Sequence, residues 1–153
     1  MRQVATAWHC GGNVVSVESP ILVGILNATP DSFSDGGSFL EVEAAVHHGM
    51  EMIKAGASII DVGGESTRPG ATRVNEEEQI KRVIPVIEAL HNESDTLISI
   101  DTTRASVACA AVDAGATIIN DVSAGIEDPE IFTLAASKGA GLVLMHRRLP
   151  PEL

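Results

Sequence analysis

Residues 58–71 read Ser58-Ile59-Ile60-Asp61-Val62-Gly63-Gly64-Glu65-Ser66-Thr67-Arg68-Pro69-Gly70-Ala71. Ser58–Val62 is short, rich in β-branched residues and not alternating. That is how a strand buried on both faces of a parallel sheet reads. The run carries the carboxylate Asp61 next to its end and opens into a Gly-rich polar loop. The same kind of run recurs at Ile21–Leu26, Thr96–Ile100, Thr117–Asn120 and Gly141–Met145. Longer amphipathic segments separate them. Glu41–Ala55 places Val42, Ala45, Val46, Gly49, Met52 and Ile53 on one helical stripe, with Ser38 and Glu41 spaced as a capping box. Asn75–His91 opens with Asn75 and Glu78 in the same relation, and Pro85 predicts a kink or a shortened helix. Arg104–Ala114 runs to Gly115. Asp128 and Pro129 read as N-cap and first position of a further helix ending near Gly139.

The order is strand then helix, four times over, then a fifth strand. Right-handed crossovers place such helices outside a parallel sheet, which makes this an α/β chain. A doubly wound open sheet would permute the strand order; a barrel would keep it sequential. Residues 1–20 carry Gly11-Gly12-Asn13 between two β-prone pieces, a hairpin signal. No second domain is visible, so residues 1–153 are expected to form one. Ala-Gly-Ala at 55–57 and 114–116 predicts two similar helix-to-strand turns.

Composition narrows the function classes. The 153 residues include 10 Lys+Arg and 21 Asp+Glu, a net charge of −11, which argues against non-specific binding to nucleic acid or an anionic membrane. Cys10 and Cys109 cannot build a disulfide framework, and the first residues hold no apolar core long enough for a signal peptide. The expectation is a cytoplasmic protein with reduced thiols. Cys109 falls on a helix stripe and is expected in the core, whereas His47 and His48 are expected on a helix surface.

Polar residues stand at or just past the end of every apolar run: Asn27, Asp61, Asp101, Asn120 with Asp121, and His146. Ligand sites of parallel α/β folds lie at that edge. Any one such acid also reads as a cap for the next helix, but the recurrence favours a shared site. The loops after the first two runs, 28–37 and 63–71, exceed the roughly 2–6 residues usual for βα connections. Phe33 is one of three Phe in the chain, and on a polar loop it suits contact with a planar ligand; packing onto the loop itself is the alternative. Asp61 and Asp101 accept hydrogen bonds from a donor-rich ring edge, and Asn120 both donates and accepts. Thr67 and Arg68 suit an anion, although Arg68 before Pro69 also reads as a solvated loop cation. Asn27 suits an anion directly or a hard divalent cation through its oxygen. No Ser-His-Asp or Cys-His pairing has convincing spacing.

Four stretches resemble dihydropteroate synthase: Gly24–Gly37 (GILNATPDSFSDGG), Asp61–Gly70 (DVGGESTRPG), Ile98–Thr102 (ISIDT) and Ile119–Ser123 (INDVS). The resemblance runs from about Ile21 to His146. It implies a (β/α)8 TIM barrel that joins para-aminobenzoate to 7,8-dihydropterin pyrophosphate in folate synthesis. It further implies that Asp101 and Asn120 hold the pterin, with Asp61 near its ring edge and Met145 lining the pocket. Asn27 would bind Mg2+ or pyrophosphate. Phe33, Thr67, Arg68 and Pro69 would belong to loops closing over the anion and shaping the para-aminobenzoate site, with Thr67, Arg68 and Asp101 the catalytic set. Family members are usually homodimers.

About 250 residues are typical of such a barrel, so 153 residues match roughly five of its eight βα units. The expectation is a partial barrel, C-terminally incomplete, lacking the family's later Asp, Lys and Arg-x-His. A non-catalytic pterin-binding fragment is the competing reading. A pterin-dependent methyltransferase relative is a third, which the TPDSFSDGG and ESTRPGA loops disfavour.

Overall fold

The structure is a computed structural model and describes residues 5–28, 39–66 and 70–146. A hairpin comes first, β1 (Ala7–Cys10) and β2 (Asn13–Ser16), turned by Gly11 and Gly12, both at positive φ. The chain then alternates β3 (Val23–Asn27), α1 (Phe39–Lys54), β4 (Ile59–Gly63), α2 (Glu76–Glu93), β5 (Leu97–Asp101), α3 (Ala105–Asp113), β6 (Ile118–Asp121), α4 (Glu130–Lys138) and β7 (Gly141–Leu144). Strands β3 to β7 form one parallel sheet in sequential order. That order is the one consecutive βα units of a barrel adopt, and it excludes the permuted doubly wound sheet.

Alternation along each strand divides the sheet into two faces. Leu26, Ile60, Val62, Ile98, Ile100 and Ile119 face the helices and share a core with Ala45, Val46, Val83, Ile87, Leu90, Val107, Ala108 and Ile131. The other face is the concave interior of the barrel fold. The hairpin packs against its lower end, where Cys10, Ile59 and Ile118 form a second cluster with Trp8, Val15, Ile21 and Leu97. Register then stacks the interior in rows: Ile25, Asp61, Ser99, Ile118 and Gly141 lie level, and above them Asn27, Gly63, Asp101, Asn120 and Val143.

Several sequence expectations change. Observed strands end one residue later than the apolar runs at Asn27, Gly63, Asp101 and Asp121, because ladder hydrogen bonds continue through polar residues that hydropathy leaves out. Only the last run ends earlier, at Leu144. Helix α2 is not shortened by Pro85. Pro85 is exposed, so the carbonyl that its missing N–H leaves unpaired one turn earlier lies on the solvent side. Cys109 is half-buried rather than core. It sits one position off the buried stripe of Ala105, Ala108 and Ala111, with Sγ 3.9 Å from Asp113 Oδ2. Ser38 of the expected capping box lies outside the described residues. The two Ala-Gly-Ala turns match each other, with Gly56 and Gly115 both at positive φ. Among the described residues no helix is long and apolar enough to cross a membrane.

Candidate functional site

The upper interior row brings together what the sequence leaves scattered over 94 positions, from Asn27 to Asn120. Parallel register sets Asn27, Gly63, Asp101 and Asn120 level, so the Cα–Cβ directions of Asn27, Asp101 and Asn120 point into the same concavity. Gly63 is the gap in that row. It has no side chain, and the space beside it is bounded by Asp101 and by Asn27 Oδ1. Nothing in its composition singled Gly63 out, although a glycine closing a run of Ile and Val is the signal that marks it.

Asp61 lies one row deeper than expected, in mid-strand rather than at a strand end. Asp61 is 6 % exposed, and its Oδ2 accepts a hydrogen bond from Asn120 Nδ2 at 3.0 Å. The other oxygen, Oδ1, is buried without a hydrogen-bond partner among the described residues. Asp101 stands between them on β5. Burial, reinforced by the charges of Asp61, Glu65 and Asp121, pushes its carboxyl up to about 7. The site is thus a set of acceptors of which one is half-protonated near neutrality, a property associated with functional sites.

Asp121 belongs elsewhere. It is the next residue after Asn120, so it points to the helix side, where it is fully buried and accepts from Ser123 N at 2.8 Å and Gly125 N at 2.6 Å. It caps its loop, which also holds Ala124 at φ 54, and it is not part of the concavity. Met145 and His146 follow β7 at the same rim, Met145 41 % exposed; its N–H donates to Asp121 O. Phe33, Thr67, Arg68 and Pro69 lie outside the described residues.

The stem of the second loop is held by residues the sequence did not single out. Glu65 Oε1 accepts from Val74 N at 2.9 Å, which closes the loop's two ends on each other. Gln79, buried, donates to Val74 O at 2.9 Å and to Glu65 Oε2 at 3.4 Å, and accepts from Thr102 Oγ1. Arg73 reaches Glu127 in the loop after β6 at 2.7 Å, and Thr103 Oγ1 donates to the same carboxylate at 2.8 Å. Their residue types alone carry no signal, because the partners are 5 to 54 positions apart. His47 and His48 are exposed beside Glu51, as expected. A groove of about 520 Å³ between α3 and α4, lined by residues such as Ser106, Cys109 and Thr133, lies on the helical layer, apart from this cluster.

For a metal, no group of three or more His, Cys, Asp or Glu converges among the described residues. That does not conflict with a magnesium ion, which keeps several waters and takes only one or two protein oxygens alongside phosphate. Asn27, exposed at the rim, offers such an oxygen.

A Synechocystis sp. dihydropteroate synthase is 52 % identical over 131 residues, which are 86 % of this chain and 45 % of that protein. Among solved structures, Xanthomonas albilineans dihydropteroate synthase with 4-aminobenzoic acid superposes with a TM-score of 0.86 at 46 % identity, over 97 % of this chain and 54 % of that one. The same enzyme in complex with 7,8-dihydropteroate gives a TM-score of 0.80 at 42 % identity, over 94 % and 52 %. This chain therefore spans about half the length of the relatives it matches. The family described as pterin binding enzyme matches residues 23–153, and the chain belongs to that family, with dihydropteroate synthases as its relatives.

Proposed function

We propose that the chain carries the pterin half of a dihydropteroate synthase site, condensing 7,8-dihydropterin pyrophosphate with para-aminobenzoate to give dihydropteroate and pyrophosphate. One observation carries this reading: Asn27, Gly63, Asp101 and Asn120 line one row of the concavity, with Asp61 beneath. Residues 1–153 would be a single domain contributing five βα units of the barrel. Among the described residues the outer edges of β3 and β7 are unpaired and the interior residues Val23, Ile25 and Val143 are exposed, which supports that placement.

Asp101 and Asn120 are assigned to the pterin edge, where an ionised Asp101 accepts from ring N–H and amino groups, and Met145 to the wall of the same pocket. Asn27 is assigned to the pyrophosphate end, directly or through Mg2+, which when bound would neutralise charge on the leaving group. Thr67 and Arg68 would hold the pyrophosphate, while Phe33 and Pro69 shape the place of the arylamine. In the reaction the methylene C–O bond breaks and its electron pair leaves with pyrophosphate. The arylamine nitrogen then forms the C–N bond and loses a proton. The chain's task is to hold the ring so that the cationic methylene faces the amine, with loops excluding water.

The test measures pyrophosphate release by the intact protein with and without para-aminobenzoate. Release that depends on para-aminobenzoate supports the synthase. Calorimetric binding of the dihydropterin without turnover replaces it with the non-catalytic pterin-binding reading. Absence of any pterin affinity overturns both. Arg68→Ala separates the sub-sites: the apparent constants for pyrophosphate and para-aminobenzoate should rise about tenfold, with pterin affinity unchanged.

A further inference from the structure

Asp61 and Asn120 sit on strands that do not pair with each other, because β5 runs between β4 and β6. Their 3.0 Å hydrogen bond therefore spans β5 on the interior face. Ser99 makes the span possible. It lies level with Asp61 in the register, is 4 % exposed, and is too small to fill the space that a Leu or Ile would occupy.

An ionised carboxylate oxygen only accepts, so the amide nitrogen is the one end of Asn120 that can face it. The contact fixes the side-chain flip: Nδ2 gives one hydrogen to Asp61, and Oδ1 with the second N–H is left for whatever enters the concavity. Asn120 is the one partner the Asp61 carboxylate has among the described residues, and Oδ1 of Asp61 takes part in no hydrogen bond of the protein there. A buried carboxylate is costly. This one completes no loop or cap of its own, in contrast with Asp121, whose two oxygens close a turn.

We propose that Asp61 is a positioning residue that holds the Asn120 amide in one orientation and so decides which heterocycle edge Asn120 reads. The edge selected presents a donor to Asn120 Oδ1, as a 2-amino-4-oxo pyrimidine-type ring does. An edge with an acceptor at that point meets an unpaired acceptor and is rejected. The ligand half of the proposal rests on the pterin reading above; the orientation half does not.

The experiment has two readouts on the intact chain. The first is the side-chain amide resonance of Asn120 without ligand. It should show two widely split protons, one exchanging slowly, and the pattern should collapse in Asp61→Ala. The near-isosteric Asp61→Asn, whose own amide can offer either end to Asn120, should collapse it too while keeping the fold. The second is calorimetric affinity for two probes, pterin and 2,4-diaminopteridine, which differ in donor and acceptor order along one edge. The wild-type chain should prefer pterin by at least about tenfold, and Asp61→Asn should bring the two within about threefold. An Asn120 signal unchanged in both variants overturns the positioning role. So does an equal loss of both probes with the preference kept, because a merely structural Asp61 would act that way. A split Asn120 signal in a chain that binds neither probe overturns the pterin reading instead, and with it the selected edge.

Discussion

A Cβ placed on Gly63 would lie 3.5 Å from both Cβ and Oδ2 of Asp101, and 3.8 Å from Asn27 Oδ1. Gly63 is level with both residues in the register, so the missing side chain leaves an opening between Asp101, the proposed pterin-edge acceptor, and Asn27, the proposed pyrophosphate-end oxygen.

These are ordinary contact distances, so alanine fits without displacing backbone. Gly63→Ala should therefore fold, with stability equal to wild type or higher by about 0.5 kcal/mol from the lower entropy of the unfolded chain. It should also narrow the opening, and pterin affinity should fall about tenfold. A thermal melt beside a calorimetric titration checks both parts. Undiminished affinity would show that ligand does not use this gap.

Asp101 gives the site a pH dependence whose sign is fixed. Its carboxyl is raised from 3.8 to about 7, with burial the largest cause. The folded state then holds this proton over a range where the unfolded chain has released it. Stability from this group is fully present below about pH 4 and lost as pH rises through 7, at about 1.4 kcal/mol for each unit between. Asp101→Asn should match wild-type stability near pH 4 and exceed it at pH 8. Ligand binding runs the other way, because the ionised form is the acceptor. Wild-type pterin affinity should climb as pH rises towards 7 and level off above it, and Asp101→Asn should bind weakly with a flat profile. Parallel denaturation and titration series across pH 4–9 would test this, and a flat wild-type profile would count against the role.

The sequence makes the order of elements readable because burial on both faces leaves short β-branched runs, and amphipathic stripes separate them. It makes the polar rim readable for a simpler reason: Asn27, Asp101 and Asn120 each end such a run. Other features depend on partners far along the chain. Asp61 looks like a strand-end acid, yet its depth follows from its register with Ser99 and Ile25, which hydropathy does not encode. Asp121 carries the same signal as Asp61 and turns to the opposite face because it is one residue out of phase with Asn120. Pro85 fails as a helix breaker because its side of α2 is wet, a fact of packing rather than propensity. Gly63 is marked only by being a glycine at the close of an Ile/Val run, and Glu65 and Gln79 act through closure of the loop stem, which no residue type announces.

Helix α2 offers a test of the local readings. Asn75 caps it, with Oδ1 accepting from Glu78 N at 2.8 Å, and three glutamates follow in the first turn. Loss of the cap leaves that N–H to water and removes nothing from the concavity. Asn75→Ala should cost about 1 kcal/mol, while Asn75→Asp should restore most of it. Both variants should keep wild-type pterin affinity, read in the same titrations.

Glu65 ties the second loop's ends and also faces Asp101 electrostatically, so its two effects must be separated. Its Oε1 holds Val74 N, and Gln79 braces both sides of that closure. The exposed Arg73–Glu127 pair adds little by itself in water. Without Glu65 the stem opens, and the loop carrying Thr67, Arg68 and Pro69 loses its fixed base. Glu65 is also one of the charges that raise Asp101. At pH 8.5 Asp101 is ionised with or without Glu65, so titrations there isolate the loop. In the intact protein at that pH, Glu65→Ala should raise the KM for para-aminobenzoate about tenfold and leave the pterin Kd unchanged. At pH 6 the same variant should bind pterin more tightly than wild type, because Asp101 then gives up its proton more readily. A matching loss of pterin affinity at pH 8.5 would mean that Glu65 supports the ring pocket itself and not the loop.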